Sequence, residues 1–377
     1  MANGISVCHV VNSAGETSMP ADLATTQATL DDITDVGMLA WFDIEPFRDI
    51  EQIEMTSLDV PDTLYITRDQ YRRAKSVLEG YDIVHTHHPH SGFYGKLIAK
   101  RLGKPVIHTE HNNHDGFTQK GRVANGVTNF LTDAIVCVSE SVRASFAQWE
   151  KLIVTDQKVR VINNGVDIER INQARELKWS IYDQVDIDPE AVVVGSAGML
   201  TEQKAHDVLI EAVDMVNAEC DQPIELVISG DGELREQIET QIAEADHTDR
   251  LHLLGFLEER DQVYKMMHEI DIYAMPSRWE GFCVAALEAM AAGNACVFSD
   301  IAEFRSPFNG VAQFHSVGDS HQLACCVDSL ARDETKRNNL AESAHQPVVQ
   351  KYTLERTASN YLDIYRRIQS GEAHPAG

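Results

Sequence analysis

Basic charge is what this chain has least of: 12 Lys and 20 Arg stand against 59 Asp and Glu, and the formal net charge is −27. A protein so acidic has no general electrostatic grip on nucleic acid. The same balance speaks against a polybasic patch on a membrane. Long apolar runs are missing too, since none approaches the ~20 residues that a membrane span needs. The opening Met1-Ala2-Asn3-Gly4 has neither the basic start nor the apolar stretch of an export signal. A cytoplasmic protein with no nucleic-acid partner and at most peripheral membrane contact is therefore expected. Cysteine is sparse and odd in number: Cys8, Cys137, Cys220, Cys283, Cys296, Cys325 and Cys326 include no C-x-x-C pair. A disulfide framework or a zinc site is not expected, and the apolar surroundings are those of buried free thiols in a core. Scarce lysine in an acidic chain is also what adaptation to high salt produces. A Debye length of about 3 Å at 1 M salt would screen the self-repulsion. An ordinary acidic enzyme is the alternative.

What is present is a globular composition, 377 residues with 43% hydrophobic residues. That length exceeds one core of ordinary size and implies two domains. Short apolar runs alternate with amphipathic segments: Ile5 to Val11, Val36 to Trp41, Ile83 to Thr86, Val106 to Thr109 and Ala134 to Val138, then Val192 to Ala197, Ile224 to Ser229, Leu251 to Leu254, Ile272 to Met275 and Ala295 to Phe298. Strands alternating with helices predict doubly wound parallel sheets, with ligands at the carboxyl ends of the strands. The end, Leu354 to Ile368, predicts an amphipathic helix with Tyr361, Ile364, Tyr365 and Ile368 on one face. The tail from Gly371 to Gly377 is expected to be disordered.

The stretch Pro276 to Gly293 organises the chemistry. After the apolar run ending at Met275 comes a loop, and from Cys283 an Ala-rich helical segment closed by Gly293. The first N–H groups of such a helix, Phe282 to Val284 at its start, suit an anion, and Gly281 lets a phosphate approach the backbone. Glu280 in the loop and Glu288 in the helix are acceptors placed on either side of that anion site, able to take hydrogen bonds from hydroxyls. A diphosphate with a sugar at one end and a ribose at the other would satisfy all of them.

Histidines crowd two strand ends, His85, His87, His88 and His90 at one and His108, His111 and His114 at the other. Alternate side chains of a strand face opposite sides of a sheet, so one shared metal sphere is not expected.

The run from Pro276 resembles the E-x7-E motif of the family 4 retaining glycosyltransferases, in the form P-S-x-x-E-G-F-x-x-x-x-L-E-A-M-A-x-G. The resemblance implies a GT-B architecture, two Rossmann-like domains facing a cleft. It implies a first domain over residues 1–165 on the acceptor side and a second over 166–350 binding the nucleotide sugar. A last segment, 351–377, would pack its helix back on the first. It implies transfer of a sugar from a nucleoside diphosphate sugar, UDP- or GDP-linked, to a glycan, lipid-linked or small-molecule hydroxyl, with retention and without a metal or other cofactor. By the same resemblance Glu280 contacts the donor sugar and Glu288 the ribose, while His111, in a T-x-H segment, contacts the sugar at the reaction centre. Gly198 to Ala205 is similar to a G-R-L-x-x-x-K-G segment that holds the diphosphate: Lys204 matches, whereas Met199 replaces Arg and Ala205 replaces Gly. Gly15 stands where the family has two glycines, and Gly255-Phe256 where a turn lies near the base. Cys283 and Val284 supply helix-start N–H groups. A sugar-nucleotide epimerase of the same architecture, or a catalytically silent sugar-nucleotide-binding subunit, is the alternative.

Overall fold

The computed structural model describes residues 4–16, 18–61, 65–114, 119–219 and 222–371. Residues 372–377, which hold nearly all of the tail read as disordered, and Cys220 lie outside these. The chain divides into two compact units, Met1–Asn164 with Leu354–Gly377, and Gly165–Thr353. Val166 and Thr353 pair as an isolated parallel bridge, so the chain enters and leaves the second unit side by side.

In the first unit the strands are β1 (Ile5–Val11), β2 (Ile33–Ala40), β3 (Glu54–Ser57), β4 (Ile83–Thr86), β5 (Val106–Glu110), β6 (Ala134–Cys137) and β7 (Val159–Val161). They form one parallel sheet in the order β3-β2-β1-β4-β5-β6-β7. Burial on both faces explains the unbroken apolar runs of its central strands. Along β1 the side chains alternate between two cores. Ile5, Val7 and Val11 join Ala358, Tyr361, Leu362 and Tyr365 of the last helix, Leu354–Ser370, on one face. Cys8 and Val10 join Leu39, Val84, Leu78 and Ile98 on the other.

The second unit holds β8 (Val192–Ala197), β9 (Ile224–Ser229), β10 (Leu251–Gly255), β11 (Ile272–Met275), β12 (Ala295–Ser299) and β13 (Gln313–His315). Their order is β10-β9-β8-β11-β12-β13, again all parallel. Val194, Leu226, Ile272 and Val297 pack on Leu209 and Val213 of helix His206–Glu219 and on Leu323 and Val327 of helix Ser320–Ala331. In both sheets the first strand lies inside, and the chain winds first to one side and then to the other. The gaps where the winding reverses are β1/β4 and β8/β11.

Three strands escaped the sequence reading, β3, β7 and β13, and each forms an edge of its sheet. An edge strand is only partly covered, as the mixed burial of Glu54–Ser57 and Gln313–His315 shows, so it carries no continuous apolar run. The expectation that every cysteine is core also needs correction. Cys8, Cys137, Cys283 and Cys296 are buried free thiols, but Cys325 is exposed and Cys326 half-buried. The helix Ser320–Ala331 turns Leu323, Ala324 and Val327 inward, which leaves position 325 facing water. Among the described residues no helix is long and apolar enough to cross a membrane.

Candidate active site

In the second unit the loops after β8 and β11 flank the gap where the winding reverses, the place where open α/β sheets bind ligands. These loops carry Lys204 and Glu280, and the structure brings the two together: Lys204 Nζ lies 2.7 Å from Glu280 Oε1. Gln203 Nε2 donates to Glu280 Oε2 at 3.3 Å and to the Trp279 carbonyl at 3.0 Å, and the Arg278 N–H donates to the Gln203 carbonyl at 2.8 Å. The two loops are thus stitched together by side chain and backbone alike. Burial works against the Lys204 charge, but the Glu280 carboxylate beside it, by its charge and by the hydrogen bond it accepts, holds the lysine pKa above its ordinary value. It is an ammonium at any physiological pH.

Glycine is required where the loop after β8 meets the loop after β9. A Cβ on Gly230 would come within 1.9 Å of the Gly198 carbonyl oxygen, and one on Gly232 within 2.5 Å of the Leu200 carbonyl oxygen. The Leu200 N–H donates to the Asp231 carbonyl across this contact. Ala205, standing where a glycine was expected, adopts left-handed backbone at φ 51°. The shape of the loop is kept at the strain of a Cβ in that region, about 1 kcal/mol or more. Met199 points outward, 66% exposed.

The helix after β11 runs Val284–Ala292, with buried Cys283 at its N-cap and Gly293 closing it at φ 96°. Burial, then Glu280, pushes the Cys283 thiol up to about 12, so it is neutral. No side chain caps the helix start, and Gly281, Phe282 and Cys283 are buried beside it, while Val284 is half-buried. Glu288 lies one turn further in. Its Oε1 accepts from Arg260 at 2.6 Å and from the Tyr264 hydroxyl at 2.9 Å. Arg170, paired with Asp261 at 2.5 Å, lies 5.9 Å from the Tyr264 ring centre and steadies that wall. Gly255 ends β10 at φ 78°, and Phe256 beyond it is 62% exposed.

In the first unit His111 follows β5, next to the gap between β1 and β4. A buried chain of rings leads to it. Gln27 donates through Nε2 to the Tyr365 hydroxyl at 3.1 Å, so its Oε1, 2.9 Å from His9 Nε2, accepts. His9 Nδ1 is then bare and accepts from His87 Nε2 at 2.8 Å, and His87 Nδ1 accepts from His111 Nε2 at 3.1 Å. This assigns His111 as the Nε2–H tautomer with Nδ1 free to accept. Burial, then His88 and His108 nearby, lowers the His111 pKa to about 3, and burial lowers that of His9 to about 4. The rings are neutral.

The ligating atoms of His9, His85 and His87 lie within 4.8 Å of one another, the spacing of a possible metal set. Their ring nitrogens are already satisfied, however: His85 bonds the Tyr365 hydroxyl at 2.7 Å and Thr109 Oγ1 at 2.8 Å, and the other two belong to the chain just described. A cation there would have to break that chain. On the opposite face His108 bonds Thr86 and approaches Glu110, and His114 bonds Glu150. Gly15, in the loop after β1, has Glu45 against its missing Cβ, at 3.2 Å from Oε2.

Residues 178–346 match the model of the glycosyl transferases group 1, and residues 38–170 match that of Glycosyltransferase Family 4. The chain belongs to the family 4 glycosyltransferases. Relatives are distant. A UDP-Gal:alpha-D-GlcNAc-diphosphoundecaprenol alpha-1,3-galactosyltransferase of Escherichia coli is 26% identical over 307 residues, 76% of each chain. A D-inositol 3-phosphate glycosyltransferase of Jonesia denitrificans is 26% identical over 336 residues, 82% of this chain and 77% of that one. Among solved structures, Anabaena Alr3699/HepE in complex with UDP and glucose superposes at a TM-score of 0.79 with 17% identity, covering 96% of this chain and 99% of that one. Sucrose-phosphate synthase from Thermosynechococcus elongatus gives 0.77 with 16% identity, covering 98% and 100%. With two parallel-sheet α/β units, the glycosyltransferase has the GT-B fold.

Within each unit of this glycosyltransferase the candidate residues cluster as described. Sequence reasoning missed His9, Gln27, Arg260 and Tyr264. His9 sits inside an apolar strand with no motif around it, and Arg260 and Tyr264 open an otherwise ordinary amphipathic helix. Their signal is tertiary.

Proposed function

We propose that this glycosyltransferase moves a sugar from a UDP-sugar to an acceptor hydroxyl with retention of configuration and without a metal. The observation that carries the reading is the Lys204–Glu280 pair at the gap between β8 and β11, beside a helix start. As the bond from the sugar to the diphosphate breaks, negative charge grows on the phosphate oxygens. Lys204 and the N–H groups from Phe282 to Val284 are preorganised donors for it. Glu280 takes the sugar hydroxyls. Glu288, whose Oε1 is held by Arg260 and Tyr264, offers Oε2 to the ribose, with Gly198, Gly255 and Phe256 supplying backbone near the nucleotide. His111 is a neutral hydrogen-bonding partner of the donor sugar and Gly15 borders it. UDP rather than GDP is favoured because the Escherichia coli relative is named for UDP-Gal and Alr3699/HepE binds UDP and glucose.

The test is a thermal-shift and calorimetric comparison of UDP, GDP and UDP-sugars. UDP at about 100 times its Kd should stabilise the protein by ~2.7 kcal/mol, in excess chelator as well as without it, and Lys204→Ala should blunt the shift. Absence of stabilisation by either diphosphate at millimolar concentration would refute the site. Transfer that stops in chelator and resumes with a divalent ion would refute metal independence.

A further inference from the structure

Helix Gln119–Thr128 is inside out. Beyond its exposed first residues, Gln119 and Lys120, its polar side chains turn inward: Asn125 and, just beyond the helix, Asn129 accept from fully buried Lys96 Nζ at 2.8 and 2.5 Å and donate to Glu110 Oε1 at 2.7 and 3.0 Å. Arg122 reaches Glu150 at 2.9 Å. The apolar side chains, Val123, Val127 and Phe130, face outward at a spacing that aligns them on one side, Phe130 with 59% of its surface exposed. Neighbouring helices extend this face. Helix Pro89–Arg101 packs against the same helix and exposes Leu97; helix Gln148–Ile153 lays Trp149 against Gly126, where a Cβ would lie 2.4 Å from the indole, and exposes 85% of Leu152. Six of the twelve large hydrophobic side chains exposed among the described residues thus fall between residues 97 and 152. A patch of this kind marks a surface that something covers.

Charge says what. Residues 89–158 carry nine Lys and Arg against six Asp and Glu, a local +3, while the chain as a whole stands at −27. Six of the twelve lysines of the chain are here. The overall acidity, which spoke against a polybasic patch, conceals a basic region, and its exposed Lys120 and Lys151 lie beside the apolar side chains. We infer that this face docks on an anionic lipid surface, its apolar side chains entering the headgroup region and its lysines meeting the lipid phosphates. A second copy of the chain fits less well, because it would set two basic rims against each other. The inference does not depend on the reading of the donor site.

Co-sedimentation with phosphatidylcholine vesicles, with and without phosphatidylglycerol, tests it. The wild-type chain should partition onto the anionic vesicles only. Phe130→Ser with Leu152→Ser, and separately Lys120→Glu with Lys151→Glu, should each lower partitioning about tenfold or more, with circular dichroism and the UDP thermal shift unchanged. Failure of the wild-type chain to sediment with anionic vesicles, or equal binding to both kinds, would overturn the inference. So would self-association in the ultracentrifuge that Phe130→Ser abolishes, since the face would then belong to a second copy.

Discussion

Removal of the Lys204 ammonium separates what the Lys204–Glu280 pair does for the fold from what it does for a ligand. Lys204→Ala takes away the partner 2.7 Å from a Glu280 side chain that is only 7% exposed. Breaking a fully buried pair costs roughly 3–5 kcal/mol. The Lys204 side chain is 19% exposed, so water reaches the pair and Gln203 still donates to Oε2. About 2 kcal/mol is the expected loss, or about 4–8 °C in Tm for a unit of this size. For binding, hydrogen bonds to charged groups contribute about 1.5–3 kcal/mol, so affinity for bare UDP should fall roughly ten- to hundredfold. Glu280→Gln should behave differently, because it leaves the ammonium in place and un-neutralised. UDP affinity should hold or rise, while turnover falls roughly 10²-fold through the lost contact to the sugar. Calorimetry on the two single variants and the double variant decides. If Lys204→Ala binds UDP within about twofold of wild type, or if its loss vanishes in the Glu280→Gln background, the lysine serves only to neutralise the carboxylate and the diphosphate lies elsewhere.

Met199→Arg restores a cation at a position that is 66% exposed, with room for a guanidinium; UDP should bind about tenfold tighter, near 1.4 kcal/mol, most clearly at low salt, and unchanged calorimetric affinity would show that this loop does not meet the diphosphate. His9 and His88 are depressed by burial to about 4, and His111 to about 3. The unfolded chain therefore binds more protons between about pH 6.5 and those values. Stability is full above that window and falls on acidification by about 1.4 kcal/mol per pH unit for each histidine; a urea midpoint flat from pH 7.5 to 5 would contradict the buried neutral chain. With a net charge of −27, raising KCl from low to molar concentration should raise the Tm as self-repulsion is screened, and a flat or falling Tm would remove the salt-adapted reading.

By itself the sequence determined the pieces whose burial is complete. Central strands such as Ile5–Val11 and Ile272–Met275 are covered on both faces and therefore read as apolar runs. The Ala-rich helix closed by left-handed Gly293 was legible because propensity, burial and capping agree within one short stretch. Tertiary structure decided what depends on partners far away in the chain. Edge strands β3, β7 and β13 form because a neighbour offers its hydrogen bonds, and a half-covered strand leaves no pattern of its own. Lys204 meets Glu280 across 76 residues, and His85 meets Tyr365 across 280. Those distances close only when the strand order places two loops over one gap, or lays the last helix against the first sheet. The inverted helix Gln119–Thr128 makes the same point from the other side: its polar face reads as solvent-facing until Lys96 and Glu110 are seen beneath it.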